Sequence, residues 1–359
     1  MAEYDASSIV VLKGLEAVRR RPGMYVGDTE DGSGLLNMLW TALETGLASQ
    51  DGNAATATYI QVRIDGDWIS VSDDGCGLPV NYHRQIGKSA LEVILTTLFA
   101  GGCWDASNDG LHGVGLAVVN GLSSELNVEV RRAGRRYCQS YRCGEPTGPV
   151  RDAGPTREHG TTVSFVPDAT IFGDTTWDRE LIADHLRELA WLNPQLTLMC
   201  DHAAFRSPQG LSDGVRYLAR EQRGLLPRPL HWVGGDAAAG VDVALQLLNA
   251  GSGQLASFVN KQRTLSGTHV DGVFDGLLEG LSRLEPRRLQ TVYPAAFREC
   301  LSERLVGIVH VELPDARFGD SFRWELTSPE AGDVVKNVIA DALSRDRELS
   351  RRLLSWLPR

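Results

Sequence analysis

Asp73-Asp74-Gly75-Cys76-Gly77-Leu78-Pro79 decides how this chain is read. Residues 57–64 and 67–71 before it alternate between apolar and polar, like two strands of a hairpin turned at Asp65-Gly66. An aspartate at the end of such a strand can accept a hydrogen bond from an exocyclic amine. The glycines after it let the backbone approach a flat base closely. Taken alone, the motif reads first as an ordinary turn.

Two further stretches favour the ligand reading. Gly101-Gly102 opens a loop that closes at Gly113-Val114-Gly115, where a helix begins. Successive glycines expose backbone N–H groups, and a helix N-terminus favours anions, so the loop has the make-up of a phosphate cradle. It is not a P-loop, which needs Lys and then Ser or Thr after its last glycine. It also lacks the strand–loop–helix setting of the dinucleotide fingerprint. Gly160-Thr161-Thr162 then leads into a strand and offers a hydroxyl to share the base, or its water, with Asp73.

Periodicity fills in the rest. Helices are expected over 10–20, 34–48, 89–99, 116–122 and 178–192. A second hairpin spans 126–132 and 136–142, turned at Ala133-Gly134, and a strand covers 161–166. The polar, proline-bearing stretch 220–229 reads as a boundary. Beyond it, strands are expected over 241–248, 254–259 and 305–313, with helices over 268–281 and from 328 onward. The expected domains are therefore 1–220 and 221–359.

The 359 residues are 42% hydrophobic and 23% charged, as in ordinary globular chains, and no apolar run approaches the length of a membrane span. The six cysteines are scattered without a CxxC pair and read as free thiols of a cytoplasmic protein. A net charge of −10 argues against strong direct nucleic-acid binding. The basic clusters Arg19-Arg20-Arg21, Arg131-Arg132 and Arg135-Arg136 read as solvated surface, with a phosphate-contacting patch as the alternative.

These elements, in this order, resemble the GHKL group of ATP-binding proteins, and within it DNA gyrase B and its topoisomerase IV counterpart. The stretches that carry the resemblance are Leu15-Glu16-Ala17-Val18-Arg19-Arg20-Arg21-Pro22-Gly23-Met24-Tyr25-Val26-Gly27-Asp28, the Asp73 motif and Leu111-His112-Gly113-Val114-Gly115. Ser266-Gly267-Thr268-His269 and Leu313-Pro314-Asp315-Ala316-Arg317-Phe318 look like landmarks of the adjoining transducer domain. The resemblance covers nearly all of the chain. It implies an α+β protein: a GHKL (Bergerat) α/β sandwich, then a transducer domain of the ribosomal protein S5 domain 2-like type.

The resemblance also implies roles for residues. Asp73 holds the adenine amino group, beside Gly75, Gly77 and Thr161, with Leu78, Pro79 and Ile94 packing the base. Gly101, Gly102, Leu111, His112, Gly113, Val114 and Gly115 line the phosphates, His112 positionally and not as an acid or base. Tyr4, on an N-terminal arm, reaches the nucleotide of the other protomer, which makes a homodimer the expected assembly. Arg323 stands where the family has a phosphate-contacting lysine, and its planar fork differs in geometry. Ser321 stands two residues before it, in place of a glutamine.

The departures are as informative. The family's water-activating glutamate and magnesium-binding asparagine are Thr41 and Thr45 here. A threonine cannot take a proton from water near neutral pH, and losing a positioned base costs about 100- to 10,000-fold in rate. Thr45 is at best a weak magnesium ligand, so Mg2+ is not expected to be held firmly. Glu44 is the nearest carboxylate; it reads first as solvated or locally paired, and alternatively as a substitute base. Cys76 and Ser49 replace both ends of a family ion pair, Cys138 replaces an outer-pocket arginine, and the 103–109 lid is short. These cysteines read as small buried residues, with a thiol-based site as the alternative.

The expectation is thus a pseudo-ATPase that binds ATP or a related adenine nucleotide and acts through binding or dimerisation. Its partners are a second copy, gyrase subunits or gyrase-directed inhibitors. The alternatives are a small-molecule enzyme reusing the pocket, with Asp73 as its acid-base group, or a residual ATPase. No stretch corresponds to a cleavage-and-religation domain, so the chain alone is not expected to cut or pass DNA. The run from Ser350 to Arg359 reads as the compact end of a complete short protein, with a fragment of a longer protein as the alternative.

Overall fold

The computed structural model describes residues 12, 14–47, 57–98, 100, 115–286, 294–320 and 323–356. The chain forms two compact units, one of Met1–Arg187 with Gln195–Arg206, the other of Glu188–Pro194 with Ser207–Arg359.

The first unit is built on a mixed sheet. Its strands run in the order Ala203–Phe205, Thr197–Cys200, Tyr59–Asp65, Trp68–Asp73, Gly160–Pro167, Ser123–Arg132 and Arg135–Arg142. Tyr59–Asp65 and Thr197–Cys200 are parallel; the other neighbours in this order are antiparallel. Along Trp68–Asp73 every second residue is buried, so Ile69 and Val71 face the core and Asp73 inherits the same face. The helix Ser33–Leu47 packs on that face through Leu35, Met38, Leu39, Ala42 and Leu43. Helical spacing places Thr41 and Gly46 on the buried stripe as well.

The remaining expected elements appear with small shifts. The described part of the 10–20 helix is Glu16–Arg20, followed by the single turn Gly23–Val26. The 89–99 helix is Ala90–Thr96; Ser89 is its N-cap and accepts the N–H of Glu92 at 3.1 Å. Gly115–Gly121 and Arg179–Leu192 match the helices expected at 116–122 and 178–192.

The second unit has its own sheet. Leu305–Glu312 lies between Gly240–Ala250, antiparallel, and Gln254–Val259, parallel; Gln262–Thr264 continues from the latter, and Leu230–Gly235 pairs with Gly240–Ala250. The helices Thr268–Leu284 and Pro329–Arg345 cover it and press on each other along a stripe of glycines. A Cβ on Gly272 would lie 2.5 Å from the carbonyl of Gly332, and one on Gly276 would lie 2.8 Å from that of Lys336.

Both divisions of the chain differ from the sequence expectation in an instructive way. The units part after Arg206, and not within 220–229. The helix Leu211–Leu218 buries Leu211 and Val215 against Ala244, Leu248, Val306 and Ile308, so it belongs to the second core. The helix expected from 328 onward breaks at Asp346 into Pro329–Arg345 and Arg347–Trp356. The strand Leu230–Gly235 and the helix Pro294–Ser302, the latter burying Phe297 and Leu301 one turn apart, were not expected from the sequence.

Candidate functional site

Asp73 ends its strand with 7% of its surface exposed. Its Oδ1 accepts the Gly75 N–H at 2.8 Å. Burial raises its pKa from the ordinary carboxylate value, opposed by the N–H groups of Gly75 and Thr161 and by the charge of Arg131. Asp74 points the other way and fixes the strand edge, accepting the N–H groups of Thr58 and Tyr59 at 2.8 Å each.

Close approach shapes the surroundings. Gly46 brings the Ser33–Leu47 helix against the strand; a Cβ there would meet Ile60 Cδ1 at 2.8 Å and Asp73 Cβ at 3.0 Å. Gly160 has φ +113°, and a Cβ on it would stand 1.8 Å from the Asp73 carbonyl oxygen, so no other residue fits. Thr161 is buried, and its Oγ1 accepts the Leu78 N–H at 3.1 Å. The threonine therefore orients the Gly77-Leu78 turn. Leu78 is buried, and Pro79 and Ile94 are half-buried. The structure thus places Asp73, Gly75, Gly77, Leu78 and Thr161 in one cluster of hydrogen bonds and close packing.

The hydrolytic positions are of a different kind. Thr41 is 4% exposed and donates its hydroxyl to the Asn37 carbonyl at 2.8 Å. Thr45 donates to the Ala42 carbonyl at 2.8 Å. Both hydroxyl protons are spent inside their own helix. Glu44 is half-buried on the same helix. Among the described residues no three His, Cys, Asp or Glu side chains converge to hold a metal ion.

The Arg131-Arg132 pair corrects the solvated-surface expectation. The Arg131 side chain is 11% exposed. It donates to Thr162 Oγ1 at 3.0 Å, Ser72 Oγ at 3.3 Å, the Asp73 carbonyl at 3.1 Å and Glu129 at 3.2 Å. Arg132 donates to the Gly77 carbonyl at 2.5 Å. Arg19 is likewise committed, to the Gly121 carbonyl and Asp168. Arg135 and Arg136 remain exposed. No periodicity marks Arg131 as buried, because Ser72, Asp73 and Thr162 lie far away in sequence. Asn120 was equally invisible: fully buried, it donates to the carbonyls of Leu95 and Gly144 at 2.7 and 3.1 Å and ties two helices to the sheet edge.

Cys76 lies 4.0 Å from Arg132, and Cys138 lies 3.9 Å from Glu129. Burial, then the Glu129 charge, pushes the Cys138 thiol up. A raised pKa disfavours the thiolate. Both cysteines are half-buried, and not buried as the sequence reading expects. Arg323 belongs to the second unit, with φ +61° and its guanidinium over the Phe318 ring at 5.6 Å. Gly115 begins its helix at φ +64°. Tyr4, Gly101, Gly102, Leu111, His112, Gly113, Val114, Ser49, Cys103 and Ser321 lie outside the described residues.

Comparison with known proteins agrees with this architecture. The family model for histidine kinase-, DNA gyrase B- and HSP90-like ATPases matches residues 30–171, and the DNA gyrase B model matches 210–352. A type 2 topoisomerase B-subunit of Aquifex aeolicus is 33% identical over 98% of this chain and 46% of its own length. A DNA gyrase B of Halalkalibacterium halodurans is 34% identical over 95% of this chain and 56% of its own. The chain thus spans about half the length of the curated relatives it matches. The crystal structure of the 43K ATPase domain of Thermus thermophilus gyrase B, in complex with an aminocoumarin, superposes with TM-score 0.78 at 29% identity, over 94% of this chain and 91% of that one.

Fold and site together define a GHKL-type ATPase domain followed by a transducer domain of the ribosomal protein S5 domain 2-like type. The chain belongs to the DNA gyrase B family, as a homologue of its N-terminal region.

Proposed function

We propose that this protein binds an adenine nucleotide at Asp73 and hydrolyses it slowly or not at all, its output being a conformational or association signal. The observation that carries the reading is Thr41. It takes the place of the family's general base, is buried, and donates its hydroxyl to its own helix, while the Asp73 cluster keeps the geometry of base recognition. When bound, the nucleotide supplies the phosphate charge; the chain's own residues bind and orient the base. Asp73 accepts from the exocyclic amine, Thr161 directs the turn, and Leu78, Pro79 and Ile94 pack against the ring. The glycine loop at Gly101, Gly102 and Gly113, together with Tyr4 and Arg323, is assigned to the phosphates and to the partner nucleotide by resemblance. Magnesium is proposed to be held weakly, through Thr45 at most.

Calorimetry with an unhydrolysable ATP analogue, run beside a phosphate-release assay, tests this. Binding with release at or below about one-hundredth of an ordinary turnover supports it. Ordinary turnover, about 1 per second or faster, sinks it. One observation favours a second reading, a residual ATPase: Glu44 is half-buried on the helix that carries Thr41. In that case Glu44→Gln abolishes whatever turnover exists.

A homodimer through the N-terminal arm, pairing with gyrase subunits and a cytoplasmic setting belong to the same proposal. Among the described residues no helix is long and apolar enough to cross a membrane. The aminocoumarin complex of the Thermus domain motivates an inhibitor titration, with weak binding expected because a neutral thiol, Cys138, stands at the outer-pocket position.

A further inference from the structure

In the resembled family an arginine and an acid flank the Asp73 turn as an ion pair; here both are gone, as Cys76 and Ser49. Yet the turn is not left slack. Arg131 comes in from the adjacent part of the sheet with an almost fully buried guanidinium. One nitrogen, Nη2, donates to the Asp73 carbonyl and to Ser72 Oγ; the other, Nη1, donates to Thr162 Oγ1 and Glu129. Ser72 and Thr162 are themselves hydrogen-bonded at 2.8 Å across the two strands that carry Asp73 and Thr161. Arg132 holds the far end of the turn at the Gly77 carbonyl.

We propose that Arg131 is a positioning residue for base recognition, clamping the Asp73–Gly77 turn and setting the site's preference for an aminopurine over an oxopurine. An ionised Asp73 only accepts, which suits an exocyclic amine. A protonated Asp73 donates, which suits an exocyclic carbonyl. Burial drives Asp73 toward the protonated form, and the buried cation beside it opposes that drive. The other charges near this balance are Asp74 on the turn, Glu44 on the helix packed against Asp73, and Glu129 and Glu158 around Arg131. Glu129 places a negative charge on the other nitrogen of the same guanidinium and also lies 4.0 Å from Arg136.

The inference rests on adenine-nucleotide binding, and its test separates the two. The affinities of the full chain for ADP and IDP are measured by calorimetry between pH 5.5 and 8.5, and the ADP-over-IDP ratio is followed. Phosphate ionisation is common to both probes and cancels in the ratio. In the wild type the ratio falls as acid protonates Asp73. In Arg131→Gln the fall moves to higher pH, lowering the ratio at the acid end of the range relative to the wild type. Arg131→Lys restores most of it. Glu129→Gln, which removes the negative charge from the guanidinium's other nitrogen, moves the fall the opposite way and keeps the test alive if Arg131→Gln does not fold. An unmoved ratio profile in Arg131→Gln overturns the proposal, as does an equal loss of both ligands at every pH, which marks Arg131 as a mere brace. A wild type that binds neither probe overturns the nucleotide reading itself, and this inference with it.

Discussion

Acidification should destabilise the second unit through His269, and by an amount the structure sets. His269 is fully buried near the start of Thr268–Leu284. Its Nε2 meets Thr264 Oγ1 at 3.0 Å, and Thr264 in turn meets Ser257 Oγ at 2.7 Å. Its Nδ1 is buried without a hydrogen-bond partner among the described residues. Burial lowers its pKa from 6.5 to about 4, with Asp271 opposing the shift and His310 adding to it. In the unfolded chain the imidazole takes up a proton as pH falls below 6.5; in the folded chain it does not until about 4. Stability from this group is therefore complete above pH 6.5 and is lost progressively between 6.5 and 4. The full difference is about 3 kcal/mol, of which about 2 kcal/mol is gone by pH 5. Carboxylates titrate in the same window, so the comparison is with His269→Gln. Urea unfolding is followed at pH 7.5, 6, 5 and 4.5 by tryptophan fluorescence, to which Trp232, packed on the second core, contributes. The variant starts less stable but loses about 2 kcal/mol less than the wild type on going to pH 5. Parallel stability curves for the two proteins would refute the reasoning.

Three further outcomes are expected. Asp73→Asn, which turns the acceptor into an amide with a donor, should weaken ADP binding at least tenfold at pH 8, as read by calorimetry. Gly160→Ala places a methyl against the Asp73 carbonyl at a backbone angle that alanine resists, and should lower the thermal midpoint of the first unit while also abolishing nucleotide binding. Gly276→Leu forces the two helices of the second unit apart and should cost about 1–3 kcal/mol in urea unfolding.

Much of the site was legible because local patterning fixes it. A period of two along Trp68–Asp73 assigns faces, and once Ile69 and Val71 are buried, Asp73 has no choice but to follow. A period of 3.6 along Ser33–Leu47 does the same for Thr41, and the family resemblance, not the periodicity, marks that position as one where a carboxylate is missing. The glycines at 75, 77 and 160 announce tight backbone in the same way.

What only the tertiary structure decided are the partnerships. Arg131 looks like any hairpin arginine until strands paired across the sheet surround it with Ser72, Asp73 and Thr162, at separations of 31 to 59 residues. The division after Arg206 depends on which sheet the Leu211–Leu218 helix finds to cover its apolar face. The neutral state of His269 depends on the core that closes over it. Periodicity reports how a residue is oriented relative to its own backbone. Charge, burial and pKa depend on neighbours that the chain brings together only when it folds.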